Sequence, residues 1–146
     1  MDDTRTFRTQ RTLPYPPHAV YAAFASAPVL AAWWGPEGFT NTFETFEFAP
    51  GGRWVFTMHG PDGTGYPNQC SFTTLEPDRR IVIRHEGAPY FTLTVELAEV
   101  AGGMHLTWAQ AFDDAATAQA VKPIVEPANE QNLDRLTQAL SLNAAA

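Results

Sequence analysis

Any chemistry in this chain has to start from His18, His59, His85, His105 and Cys70, and their spacing places none of them in a metal-ligand or catalytic pattern. His18 follows Pro16-Pro17 at the start of a helical segment and reads as solvated. His59 falls on the polar side of its strand beside a turn, and His105 alternates outward against Met104 and Leu106. His85 alone shares an apolar face, with Ile81 and Ile83, so it is either a hydrogen-bonded core histidine or the polar group of a cavity. Burial favours its neutral form. Cys70, flanked by Gln69 and Ser71 in a strand-like run, reads as a small buried side chain, and a single cysteine forbids an internal disulfide. No serine sits in a nucleophile elbow. Gly51-Gly52 and Gly60-Pro61-Asp62-Gly63 read as hairpin turns, not phosphate cradles, because no helix start follows them. Glu44, Glu47, Glu96 and Glu99 belong on outer faces. No catalytic residue, metal site or cofactor is expected; an enzyme would have only His85 as its acid/base group.

The elements that must position these residues are a strand, helices, a run of strands and a last helix. Thr6 to Leu13 alternates and ends at Pro14, as an edge strand does. Pro16-Pro17 suits a first helical turn, with Val20, Tyr21 and Phe24 on one face. A second short helix from about Pro28 to Trp34 stops at Gly35-Pro36. Six strands follow: Phe39–Phe48, Arg53–His59, Tyr66–Leu75, Ile81–Glu86, Phe91–Glu99 and Met104–Phe112. Arg53–His59 sets Trp54, Phe56 and Met58 on one face, and Phe91–Glu99 does the same with Phe91, Leu93, Val95 and Leu97. Such one-sided alternation describes an antiparallel sheet with one solvated face. Pro123 and Pro127 break the last segment into a short helix near Ala116–Val121 and a long one with Pro127 in its first turn. In that long helix Asn129, Leu133, Leu136 and Leu140 form a stripe that meets the apolar face of the sheet.

The whole chain is one domain, 1–146, with 1–5 and 143–146 frayed. Aromatic residues make up 12% and charged residues 17%, which excludes a disordered chain. Net charge is −7, with one lysine and eight scattered arginines, which argues against nucleic acid and against an anionic membrane. The absence of a signal peptide and of a spanning apolar run makes the cytoplasm the default.

Trp33-Trp34-Gly35-Pro36, Pro50-Gly51-Gly52-Arg53-Trp54, His59-Gly60-Pro61-Asp62-Gly63, Glu76-Pro77-Asp78-Arg79-Arg80-Ile81-Val82 and Asn132-Leu133-Asp134-Arg135-Leu136 occur in order. Together with Arg11-Thr12 in the first strand, they cover nearly the whole chain. In this the sequence resembles the AHSA-like (activator of heat-shock ATPase-like) branch of the START-like SRPBCC superfamily. The resemblance implies an α+β helix-grip fold: a curved antiparallel sheet of six to seven strands wrapped around a long C-terminal helix, with two short helices after the first strand. It also implies an apolar cavity between them. Two departures stand out. Acidic residues common around Ala27 and Val29 are missing, and Asn129 replaces a frequent bulky aromatic, which widens one end of the cavity.

On this reading the ligand-binding residues are Trp33, Trp34, Trp54, Phe56, Met58, His85, Leu93, Trp108, Gln110 and Asn129. Adjacent helical residues point about 100° apart, so one twin tryptophan enters the core and the other lines the cavity entrance. Turn counting sets His85 opposite Phe91 and Gln110 opposite about Thr94, and Asn129 reaches the same end. The partner is a small hydrophobic, lipid-like molecule, and a homodimer is left open. Two other classes compete: a cyclase or dehydratase acting through His85, and a regulator of a chaperone ATPase. A chaperone partner is disfavoured, because members with that role carry a further N-terminal domain.

Overall fold

The computed structural model describes residues 4–145, with side chains through Leu142. The fraying expected at 1–3 and 143–146 lies outside the residues described in full. Thr4 and Arg5 are tied down: Gln119 donates to Thr4 O (2.7 Å), and Phe112 N donates to Arg5 O (2.8 Å).

Strand β1 spans Thr6–Leu13, followed by α1 at Pro17–Ala25 and α2 at Ala27–Trp33. The strands β2 Thr40–Phe46, β3 Arg53–His59, β4 Gly65–Glu76, β5 Arg80–His85, β6 Phe91–Val100 and β7 Gly103–Phe112 then lead into α3, Ala115–Ala145. All seven strands form one antiparallel sheet in the order β1-β7-β6-β5-β4-β3-β2. Helices α1 and α2 carry the chain from the β1 edge to the β2 edge, and five hairpins bring it back beside β1. This is the helix-grip architecture, with α3 held in the concave face.

Two β-bulges supply curvature. The β2–β3 register shifts between Phe43 and Thr45, leaving Glu44 as the extra residue. Phe43 and Phe46, three apart in sequence, therefore face the same side, with ring centroids 5.5 Å apart. A second shift between Phe72 and Thr74 leaves Thr73 extra, so Phe72 and Leu75 both reach the core.

The last helix differs from expectation. It runs unbroken through Pro123 and Pro127 instead of breaking before them. Proline removes the bond to the carbonyl four residues back, here those of Gln119 and Pro123. Gln119, Pro123 and Pro127 share one face by their i, i+4 spacing, and all three are exposed, so water takes over those carbonyls. On the opposite face apolar side chains pack both before and after the prolines. Ala118, Val121 and Val125 pack on Phe7, Phe91 and Phe112, and Leu133, Leu136 and Leu140 continue into the main core. Apolar packing on both sides of the prolines outweighs two bonds surrendered to solvent. Asp114 caps the start, its carboxylate accepting from Thr117 N at 2.8 Å and Thr117 Oγ1 at 2.7 Å.

Candidate functional site

The end of α2 shapes the site. Helix α2 stops at Trp33, and Trp34 is already extended (ψ 136°), so a change of backbone as well as helical offset sets the twin rings at different angles. Trp33 is 1% exposed, sets its edge on Phe24 at 4.9 Å and donates from Nε1 to Ala23 O at 3.2 Å. It is a core residue. Trp34 still meets Trp33 edge to face (5.8 Å between centroids) but also reaches Trp54 (5.0 Å) and Trp108 (6.0 Å).

Side chains from elsewhere hold this turn in place. Asn41 Nδ2 donates to Ala31 O and Trp34 O, and Asn132 Nδ2 donates to Trp33 O. Arg135, from α3, donates to five carbonyls: Ala32, Trp34, Gly35, Pro36 and Phe39, at 2.8–3.0 Å. The negative end of α2 thus receives a cation and every one of its last carbonyls a donor. Burial holds the Arg135 guanidinium below its ordinary pKa, opposed by the nearby Glu37 carboxylate. Gly35 completes the turn at φ +95°, where an added Cβ would stand 2.8 Å from Met58 Cε.

Between this turn, the sheet and α3 lies a cavity of about 270 Å³. Of the residues expected from sequence, Trp34, Phe56, Met58, His85, Leu93, Trp108, Gln110 and Asn129 line it. Trp33 and Trp54 do not. Trp33 is taken up by Phe24, and Trp54 lies flat between Phe56 (4.1 Å) and Phe72 (5.7 Å), with Phe43 on its edge. Ile83, Phe91, Val125 and Ala128 extend the apolar wall, and Ile124, 70% exposed, marks its opening to solvent. Asn68 and Cys70 were missed. The available signal was alternation, since Asn68, Cys70 and Phe72 share the inward face of β4.

The polar side chains of the wall fall into separate pairs. His85 faces Phe91 across the β5–β6 ladder as expected, and the two rings stack 4.6 Å apart at 6°. Gln110 pairs with Leu93, one residue from the position expected, because the β6–β7 turn is only Ala101-Gly102, and Gly103 already pairs with Val100. Asn129 Nδ2 donates to Gln110 Oε1 at 3.1 Å. His85 is occupied by different partners: Nδ1 lies 3.0 Å from Gly87 O and 2.9 Å from Pro89 O, and Nε2 lies 2.9 Å from Asn68 Oδ1. Asn68 Nδ2 donates to Tyr66 O, which keeps Oδ1 turned to the ring. Every neighbour of the two ring nitrogens is therefore an acceptor, and the protein itself engages both nitrogens. Neither nitrogen presents a free lone pair to the cavity.

Cys70, directly across from His85, is no nucleophile in this setting. Burial, with the Glu86 carboxylate adding to it, pushes its thiol up to about 12. Among the described residues no lysine, arginine, aspartate or glutamate lines the cavity. Among the described residues no group of three or more His, Cys, Asp or Glu side chains could hold a metal ion, and no helix is long and apolar enough to cross a membrane. The remaining histidines lie outside the cavity. His59 Nε2 meets Thr42 Oγ1 at 2.8 Å, His105 bridges Thr12 and Gln10, and His18 is exposed.

A curved sheet gripping one long helix around a mostly apolar cavity defines a START-like domain. Residues 14–141 match the family described as Activator of Hsp90 ATPase homolog 1-like protein, and the chain belongs to that family. A protein from Nitrosomonas europaea superposes with a TM-score of 0.87 at 16% identity, over 98% of each chain. A protein from Arthrobacter aurescens gives 0.87 at 25% identity over 97% of this chain and 90% of its own. The AHSA1-like protein from Aeromonas hydrophila gives 0.74 at 18% identity over 97% and 95%. Among proteins of curated function, none matches the sequence significantly.

Proposed function

We propose that the protein binds or carries one small hydrophobic molecule in the cavity between α3 and the sheet. The observation that supports this reading is a space of about 270 Å³ walled by Trp34, Phe56, Met58, Leu93 and Trp108, with a few polar side chains and, among the described residues, no lysine, arginine, aspartate or glutamate. Its volume lies just under the roughly 300–1,000 Å³ of drug-sized sites, which suits a ligand of two or three fused rings or a short branched chain. Burying such a ligand contributes about 25 cal/mol per Å² of apolar surface, from which the cost of association is subtracted. In this reading Arg135, Asn132 and Asn41 hold the wall, as His85 with Asn68 does.

Native mass spectrometry of freshly purified protein is the direct test, with a non-covalent adduct lost on organic extraction as the expected result. Saturable one-to-one binding of the neutral dye Nile red, weakened by Trp34→Ala, is expected alongside it. Absence of both refutes the reading. The chaperone reading rests on the family description and predicts stimulation of a purified Hsp90 ATPase. Stimulation that survives Trp34→Ala would favour it over ligand carriage.

A further inference from the structure

Four carboxamides and one imidazole stand in the cavity wall, and they differ in what they have left to bond with. His85 meets protein oxygens at both nitrogens, and Asn68 is engaged at both ends of its amide. Gln110 and Asn129 share one bond, which leaves them one amino end and one carbonyl end whichever way the two amides are turned. That pair suits donors and acceptors alike and selects neither. Asn132 is different. Its Nδ2 donates to Trp33 O at 3.0 Å, and turning the amide over would set carbonyl against carbonyl, so Oδ1 is fixed as the unspent end. No donor among the described residues reaches that oxygen. Asn132 is only 6% exposed, yet its carbonyl is not among the buried side-chain atoms sealed from water without a partner, which are Asn41 Oδ1 and the indole nitrogens of Trp54 and Trp108. The oxygen therefore touches water-sized space, and the space that Asn132 lines is this cavity.

We infer that the cavity selects an uncharged apolar molecule carrying a hydroxyl group, a phenol or an alcohol, whose O–H donates to Asn132 Oδ1. This rests on the ligand-binding reading above and narrows it. A hydrocarbon, ketone or ether of the same shape offers that carbonyl no proton, and seating one there shuts water away from it. An ammonium group donates as well, but it brings a charge into a wall that holds no aspartate or glutamate among the described residues. A carboxylate is worse placed, because it meets a carbonyl where neither lysine nor arginine replaces its hydration. A neutral hydroxyl satisfies the acceptor without burying a charge.

The test titrates 2-naphthol, 2-methoxynaphthalene and 2-naphthoate into the full chain and into Asn132→Leu, following backbone amides by ¹H–¹⁵N NMR. The methoxy compound keeps the oxygen of naphthol and lacks its proton. Comparing the ratio of their affinities between the two chains cancels their difference in hydrophobicity. Relative to the methoxy compound, naphthol should bind about three- to tenfold less well in Asn132→Leu than in the unmodified chain, the worth of one neutral hydrogen bond. The methoxy compound also reports whether the cavity survives loss of the bond to Trp33 O. In the unmodified chain naphthoate should bind weakest of the three. An unchanged ratio, or naphthoate binding tighter than naphthol, overturns the inference. If Asn132→Leu fails to fold or to bind, the unmodified chain decides it. There the Asn132 ¹³Cγ resonance should lie further downfield with naphthol than with the methoxy compound, and equal positions overturn the inference. An unchanged ratio with binding intact leaves ligand carriage standing, whereas binding by none of the three in the unmodified chain sinks both.

Discussion

Replacing Arg135 by methionine removes the fork that ties α3 to the α2–β2 turn while keeping most of its apolar stem. The two terminal nitrogens contact five carbonyls, so summing charged hydrogen bonds at about 1.5–3 kcal/mol each would exceed the stability of many whole domains. The structure shows why that sum overcounts. Trp34 O keeps the Asn41 donor, Pro36 O keeps the Phe39 N–H, and Ala32 O is open to water. Gly35 O and Phe39 O lose most, at about 1–3 kcal/mol each, reduced by partial solvent access. The expected loss is therefore about 2–4 kcal/mol, or roughly 6–16 °C in Tm for a chain of this size. Urea unfolding followed by tryptophan fluorescence reads it directly. Arg135→Lys should lose nearly as much, because a point charge cannot span this set of carbonyls. A loss under about 0.5 kcal/mol for Arg135→Met, or full rescue by lysine, would refute the reasoning.

Leu136→Ala, at a fully buried position of the α3 stripe, should cost about 2–5 kcal/mol in the same assay. Trp33→Phe should lower stability through the lost bond to Ala23 O yet leave Nile red affinity within about twofold, whereas Trp34→Ala should weaken it clearly. Cys70 should resist iodoacetamide at pH 8 in the folded protein and react once unfolded, because its thiol is held up at about 12. The same shift gives a pH dependence: a solvated thiol ionises near about pH 8.5, so above that value the unfolded chain binds fewer protons than the folded one. Its contribution to stability is complete below that value and falls by at most about 1.4 kcal/mol per pH unit as the pH rises toward 12. A Cys70→Ala variant that declines identically across this window would refute that assignment.

Much of the fold was legible because both of its periods are strong. The limits of β1 and β3 follow directly from alternation and from Pro14 and Gly60, and the one-sided faces of β6 and β7 predict what α3 meets. Interruptions were harder. A proline opposes a helix by a fixed local amount, and the sequence window around Pro123 does not reveal that Ala118, Val121 and Val125 find Phe7 and Phe112 beneath them. In the site, apolar linings followed from facing, but facing does not say how far along a strand the space extends. Trp54 shares its face with Phe56 and Met58, yet the Phe43–Phe72 cluster fills the region over it. Arg135 and Asn68 escaped attention as functional residues for a related reason. Arg135 matters through backbone carbonyls, and Asn68 through the His85 ring, that only the tertiary fold brings to them.

The strand order also sets a timetable. Phe7 must pair with Gln110, and Leu13 with Met104, so about a hundred residues separate the two sides of that ladder. The ladders from β2 to β7 join neighbours through short turns and can zip locally. At roughly 5–20 residues per second on a ribosome, β1 waits on the order of 5–20 seconds for its partner to be made. During that interval β1 is an unpaired strand, and the sheet that will receive it has an open edge. Its short span, with Arg8, Gln10 and Thr12 exposed along one side and Pro14 closing it, is the composition that keeps such a waiting strand from pairing with its neighbours on other chains.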